Sequence, residues 1–182
     1  FTLAVIHFNH QVRGNESDGD EHFVRTIAEQ RHLQYFVERA DTSLIAEAKK
    51  QSLQEVARDL RYAFFESMKT AHGFQKIATA HHADDNAETV LFNFLRGSGV
   101  SGLSGIPVRR NDLNVIRPLL FSTREEISDY AKAHSLAYRE DSSNQKNTYT
   151  RNFLRNELIP SIREHINQNV SASLNRTCEL FS

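Results

Sequence analysis

The chain has 182 residues, 39% of them hydrophobic, and its 22 Lys and Arg against 23 Asp and Glu give a formal net charge of −1. That length and apolar share suffice for one sizeable core, and the balanced charge excludes the uniformly basic body of a simple nucleic-acid binder. The single cysteine, Cys178, excludes a disulfide framework or a four-cysteine zinc site and suits a reducing compartment, most simply the cytoplasm; there is no signal peptide and no apolar run long enough to span a membrane.

FTLAVIHF (1–8) is a continuous apolar run with β-branched members, the pattern of a strand buried on both faces. It opens at Phe1 rather than at a methionine, so the chain reads as a piece of something longer. A polar loop, NHQVRGNES, is punctuated by Gly14, and a helix is predicted from about Asp18, with Phe23, Ile27 and Ala28 at helical spacing. LQYFVERA (33–40) reads as a second strand. SLQEVARDLRYAFFESMKTAHG (52–73) is the clearest helix, with Ser52 and Glu55 at capping-box spacing and Gly73 as its stop. KIATA (76–80) reads as a third strand leading into a helix that carries HHADDNAETVLFNFL. GSGVSGLSGIP (97–107) holds four of the seven glycines and reads as a loop. VIRPLL (115–120) is a fourth strand, and STREEISDYAKAHS (122–135) a helix with Ser122 and Glu125 at capping-box spacing. DSSNQKNTYTRN (141–152) is loop-like or locally helical, and IPSIREHINQNVSASLNRTCELF (159–181) reads as a final amphipathic helix. Short apolar strands alternating with helices predict an α/β fold, a parallel sheet with helices on both faces.

At about 100° per residue, His81, Asp84, Asp85 and Glu88 share one stripe of the helix after the third strand. Ala83, Ala87, Val90, Leu91 and Phe94 fall roughly opposite and pack on the sheet, so the acids are aimed away from the core. Such a helix starts at the carboxyl end of a strand, the edge where open parallel sheets bind ligands. Acids in a first turn complement the helix dipole, which accounts for Asp84 and Asp85 but not for His81 or Glu88. Mutually repelling carboxylates are rarely assembled for stability alone. Two chemistries fit: a metal-dependent phosphohydrolase with His81, His82 and Asp85 as ligands and help from His7 and His10, or a site that grips a cationic substrate and takes its proton.

HHADDNAETVLFNFLRGSGVSGLSGIP, with VIHFNHQVRGNESDGDEHFV before it and REDSSNQKNTYTRNFLRNELIP after it, closely resembles the N-type ATP pyrophosphatase domain of the bacterial tRNA(Ile)-lysidine synthetase family over about residues 3–160. Three separated motifs in the family's order make the set specific. The resemblance implies an adenine nucleotide alpha hydrolase-like fold, truncated at its N-terminus, with 1–158 as a partial catalytic domain and 159–182 as a helix leading towards a downstream domain. It implies that ATP, with Mg2+, adenylates the wobble cytidine of an isoleucine tRNA bearing a CAU anticodon, and that the side-chain amine of free lysine then displaces AMP. It implies a cytoplasmic enzyme without membrane association and allows a homodimer.

Lysine's ammonium, with a pKa near 10.4, is no nucleophile until a base removes a proton, and carboxylates both attract the cation and offer that base. By resemblance, lysine handling falls to Asp85 and Glu88, with His81 and Asp84 as support or base. Arg61 and Arg151 match family arginines near ATP, where guanidinium groups stabilise charge on the α-phosphate. Arg117 matches another nucleotide position, and Arg155 lies one turn beyond Arg151. The plain alternatives are ion pairs of Arg61 with Asp59 or Glu55 and of Arg155 with Asp141 or Glu157, and an Arg117 that snorkels from a strand edge. His7, Phe8 and Asn9 are assigned to the nucleotide, one of them also pointing into the core; His10 and Arg13 face the tRNA or ATP, and Asn152 and Arg155 the tRNA. No residue is assigned to a metal. GSGVSGLSG offers amides to a phosphate but lacks the Lys-Ser/Thr of a Walker loop, and a plain loop is the simpler reading.

The family's SGGxDS loop is not among these residues, so the fragment alone is expected to be inactive, or nearly so, and its sheet to lack an inner strand. tRNA-thiolating relatives share the fold but need a persulfide-bearing or cluster-binding cysteine, usually a CxxC pair, which the lone Cys178 cannot supply. A non-catalytic tRNA-binding module is weakened by the near-neutral charge.

Overall fold

The computed structural model describes residues 1–140 and 150–181; the segment 141–149, with Asp141 as a partner for Arg155, lies outside the described residues. The chain divides into two compact units, Phe1–Ile77 and Ala78–Ser182.

The first unit runs β1 (Ala4–Asn9), α1 (Asn15–Gln30), β2 (Gln34–Arg39), α2 (Thr42–Lys49) and α3 (Leu53–His72). β1 and β2 pair in parallel, with Ala4 opposite Gln34 and Asn9 opposite Arg39. β1 is less buried than its apolar run suggests: Phe8 and Asn9 are buried, Ala4–His7 are intermediate, and β2 is its partner in a two-stranded sheet. α1 starts at Asn15, three residues early, and places Glu16 and Asp18 in its first turn. α3 keeps its expected limits: Ser52 Oγ accepts from Glu55 N, the Glu55 carboxylate accepts from Ser52 N, and Gly73 closes the helix at φ 70°. α2 escaped the pattern reading, although Asp41 signals it by accepting from Leu44 N at 3.0 Å. Phe8, Ala28, Val56, Tyr62 and Phe64 form the apolar interior of this unit, with Phe8 edge-on to Phe64.

The second unit takes up the chain in β3 (Ile77–Ala78), which straddles the boundary, and continues through α4 (Ala83–Leu95), α5 (Gly99–Leu103), β4 (Arg109–Arg110), β5 (Val115–Ile116) and α6 (Arg124–Ala133). α7 (Thr150–Phe153) passes through a π-helical turn, Leu154–Leu158, into α8 (Ile159–His165), and α9 (Val170–Leu180) follows. The sheet order is β3-β5-β4, with β4 antiparallel to β5 in a hairpin whose Asn114 sits at φ 53°. The expected fourth strand is cut to two residues because Pro118 has no N–H to continue a ladder.

Three local elements differ from the pattern that the sequence predicts. The glycine-rich segment holds a short helix, α5, tied to α4 by Asn93 Nδ2 donating to Gly102 O at 2.9 Å. The cap of α6 is Thr123 with Glu126, one residue beyond Ser122 and Glu125, because Ser122 N is spent on Leu119 O. The final helix is two, α8 and α9, broken where Asn167 Oδ1 takes Asn169 N at 2.9 Å and offers the backbone an alternative to the helix.

α9 lies along α4, where Asn86 donates to Asn175 Oδ1 and Asn175 donates to Ala83 O. Leu91, Leu154, Ile159 and Val170 form the core cluster between α4, the π-turn, α8 and α9. No helix among the described residues is long and apolar enough to cross a membrane.

Candidate functional site

The site is built on the first two turns of α4. The histidines stand before the helix rather than on its stripe. His82 is the N-cap: its Nδ1 accepts from Asp85 N at 3.4 Å, and Asp85 Oδ2 accepts from His82 N at 3.1 Å. His81 Nδ1 shares a hydrogen bond with Thr79 Oγ1 at 3.0 Å. Asp84 Oδ2 accepts from Arg124 N at 2.8 Å, which ties α4 to the first turn of α6. Ala83, Ala87, Val90 and Leu91 are buried as the spacing predicts, but Phe94 on the same stripe is 64% exposed.

Glu88 overturns the expectation that the whole acidic stripe faces away from the core, for it is only 2% exposed. A buried carboxylate persists only when paired and hydrogen-bonded, and two arginines do this. Arg155 Nε donates to Glu88 Oε1 at 2.6 Å, and its Nη2 donates to Glu88 Oε2 at 3.0 Å and to Asp85 Oδ1 at 2.8 Å. Arg151 Nε donates to Glu88 Oε2 at 3.0 Å, and its Nη2 reaches Asp85 O and Thr89 Oγ1. Burial opposes the charge of Arg155, but its hydrogen bond to Glu88 and the charges of Glu88, Asp85 and Asp84 outweigh it and hold the guanidinium above its ordinary pKa. Two carboxylates and two guanidiniums thus cancel formally within one cluster. Asp85 serves twice, as a helix cap and as a cluster member, so the dipole reading of the first-turn acids was half the account.

A cavity of about 740 Å³ opens beside this cluster. Asp84, Glu88 and Arg155 form one side, and α6, α8 and the start of α9 the others. The sequence offered no signal for the lining residues Asp129, Lys132, Arg163 and Ser171, because each comes from an element that reads as an ordinary amphipathic helix.

The remaining candidates fall in different places. Arg117 does not snorkel: it is 5% exposed, its Nη1 donates to Pro107 O, and it lines a second cavity of about 720 Å³ with Asn86, Phe121 and Asn175. Asn152 is half-buried on α7. In the first unit, Arg61 is exposed beside the Tyr62 ring and has no carboxylate partner among the described residues, Glu55 being committed to the Ser52 cap. The Phe8 and Asn9 side chains both point inward. Asn9 donates to Asp18 and Glu21 at 3.0 Å and accepts from Gln11 N, so contact of these two residues with a ligand falls to their backbone. His7 is half-buried, and burial holds its pKa below the usual histidine value against the pull of Glu21 and Asp20. His10 bonds Thr42 Oγ1 at 3.0 Å; burial, then Arg61 and His7, push its pKa down to about 4. Arg13 pairs with Asp20 at 2.7 Å and Glu16 at 3.5 Å.

Among the described residues no three His, Cys, Asp or Glu side chains converge as metal ligands. The proposed ligand Asp85 is committed to His82 N and Arg155, which removes the support for a phosphohydrolase metal centre. Cys178 is buried against α4, where Asn86 Nδ2 approaches its sulfur at 3.5 Å, and burial raises its thiol pKa, the opposite of an activated cysteine.

Comparison with known proteins places residues 1–162 in a match to the PP-loop domain family. The tRNA(Ile)-lysidine synthase of Chlorobaculum tepidum is 45% identical over 97% of this chain and 53% of that protein. Those of Clostridium acetobutylicum and Porphyromonas gingivalis W83 are each 40% identical, over 100% and 98% of this chain and 39% of each relative. The chain therefore spans about half, or less, of the curated relatives it matches. Among solved structures, the U34-tRNA thiolase NcsA from Methanococcus maripaludis, with its [4Fe-4S] cluster, shares the fold at a TM-score of 0.73 and 17% identity, over 99% of this chain and 61% of that one.

Proposed function

The chain belongs to the PP-loop domain family, and on that premise we propose that it forms the ATP-using part of an enzyme that joins free lysine to the wobble cytidine of an isoleucine tRNA with a CAU anticodon. The cytidine carbonyl oxygen attacks the α-phosphorus of ATP, an O–P bond forms, and pyrophosphate leaves. The lysine Nζ, once it has lost a proton, attacks the carbonyl carbon; a C–N bond forms and AMP leaves with the oxygen.

The observation that carries this reading is the pair of carboxylates, buried Glu88 and partly buried Asp85, clamped by Arg151 and Arg155 beside a ligand-sized cavity that Glu88 and Arg155 line. The cluster can exchange charge partners without changing its total charge. When Arg151, the more exposed guanidinium, turns to a phosphate, part of Glu88 is released to an ammonium. Asp84 keeps Oδ1 outside its bond to Arg124, and with His81 it supports the same ammonium and its proton transfer. Arg61, an exposed cation with no carboxylate partner among the described residues, serves the phosphates. His7 with the backbone of Phe8 and Asn9, and Arg117, serve the nucleotide, and His10, Arg13, Asn152 and Arg155 the tRNA side. Mg2+, where it takes part, would be held by one or two carboxylates and the ATP phosphates rather than by an all-protein cage, and would neutralise charge on the phosphates.

Residues 1–158 act as the partial catalytic domain and 159–182 lead onward, although α9 already packs on α4. Cytoplasmic location and a homodimer complete the reading. Thiolation gains nothing from the buried, lone Cys178.

The test uses the full-length protein. Titration calorimetry with lysine is expected to give saturable binding that Asp85→Asn abolishes, and tRNA-dependent release of AMP and pyrophosphate is expected to require lysine for product formation. Wild-type protein that binds no lysine would sink the proposal.

A further inference from the structure

We propose that the cavity beside Glu88 recognises the α-amino-acid end of the lysine, its carboxylate held by Arg163, Ser171 and the start of α9 and its α-ammonium by Asp129, while the side-chain amine lies at Asp84 and Glu88. This rests on the functional reading above and adds the residues that select an amino acid over a simple amine.

The cavity is polarised. α4 contributes carboxylates at one side, with Glu88 at the buried floor. The far side carries Arg163, whose guanidinium has no carboxylate partner among the described residues. Ser171 Oγ, on the same wall, is buried without a hydrogen-bond partner. α9 begins there with Asn169 as N-cap and no side-chain cap bond; Asn169 N–H goes to Asn167 Oδ1 and Val170 N–H to Asn167 O, which leaves the N–H groups of the next two residues, Ser171 and Ala172, to an external acceptor. A cation, a hydroxyl and helix amides together suit a carboxylate. α6 supplies the third wall, where Asp129 pairs with Lys132 at 3.5 Å on an exposed surface, an ion pair weak enough to yield to a ligand ammonium.

The dimensions agree with this assignment. Arg155 and Arg163 are eight positions apart on a continuous helical path, about 12 Å at 1.5 Å per residue. An extended lysine spans roughly 7 Å from amine to carboxylate, judged from ordinary bond lengths. The side chains from each end close the difference. A diamine of the same length reaches Glu88 and Asp84 but leaves Arg163 and the α9 terminus without an anion.

The experiment compares lysine with cadaverine, which lacks the α-carboxylate, on the full-length protein by calorimetry and by steady-state kinetics. Wild type is expected to bind lysine at least tenfold more tightly than cadaverine. Arg163→Gln is expected to weaken lysine binding about tenfold and raise its KM by a similar factor, with kcat and cadaverine affinity unchanged; Arg163→Lys is expected to recover part of the loss. Equal affinity for the two ligands, or an Arg163→Gln protein with unaltered lysine KM, overturns the inference while leaving lysine attachment standing. Wild-type protein that binds neither ligand and forms no AMP on tRNA overturns both.

Discussion

Each unit of the chain buries one glutamate under arginine, and the two clamps are alike in chemistry and unlike in surroundings. In the first unit Glu21 is 3% exposed and takes two bonds of 2.7 Å from Arg39, one of 3.2 Å from Arg25 and one of 3.0 Å from Asn9. Its partners sit on β1, α1 and β2, and Asn9 and Arg39 face each other across the parallel ladder, so the clamp fastens a single β-α-β unit. In the second unit Glu88 draws on arginines 63 and 67 residues away, shares one with Asp85, and borders a cavity. A buried ion pair is therefore no marker of a site by itself. What distinguishes the second is a second carboxylate, long-range partners and space beside them.

The sharpest way to break this contrast is at Glu88. Glu88→Ala removes the floor of the site and leaves Arg155 without its main partner, so lysine-dependent product formation is expected to fall by more than a hundredfold, with stability lowered by about 3 kcal/mol as for a broken buried pair. Product assay and denaturant unfolding of the full-length protein measure the two effects; activity within tenfold of wild type would mean that the Glu88 clamp is as structural as its counterpart.

Glu21→Gln should do the reverse. It is expected to lower Tm by several degrees and leave the KM for lysine unchanged. A raised lysine KM would erase the distinction between the clamps.

Acid sharpens the comparison further. The Glu21 carboxyl is held at about 2, chiefly by the bond from Arg39, against an ordinary 4.5. The unfolded chain therefore takes up this proton first, and the stability from Glu21 is full above about pH 4.5 and lost as pH falls towards 2. His10, pushed to about 4 from 6.5 mainly by burial, loses its contribution between those two values. Tm measured against pH should flatten below pH 4.5 in Glu21→Gln and between 6.5 and 4 in His10→Gln. Curves parallel to wild type would show that neither group carries the acid sensitivity.

The smallest effect is expected from Ser52→Ala, which deletes a helix cap that belongs to neither clamp. It should cost about 1 kcal/mol by chemical denaturation with catalytic constants intact.

Much of the fold was legible locally. The capping box at Ser52 and Glu55, the stop at Gly73, and the buried stripe Ala83, Ala87, Val90 and Leu91 are short-range patterns, and the structure keeps them. Local reading slipped where neighbouring residues compete for one role. Thr123 displaced Ser122 as a cap, and Asn167 broke a helix whose apolar period ran on. The candidate site was half legible. HHADDNAET announces a helix start rich in acid, but nothing in it reports that His82 caps while Glu88 sinks.

The amino-acid order alone determined the α/β alternation, the helix that carries Asp84, Asp85 and Glu88, and the family likeness, because periodicity, caps and motifs act over a few residues. Only tertiary structure decided that Glu88 is buried, that Arg151 and Arg155 neutralise it, and that Arg163 and Ser171 face it across a cavity. The reason is electrostatic: whether a carboxylate is solvated, paired or open to a ligand depends on charges brought close from distant sequence, and spacing along the chain does not encode that distance.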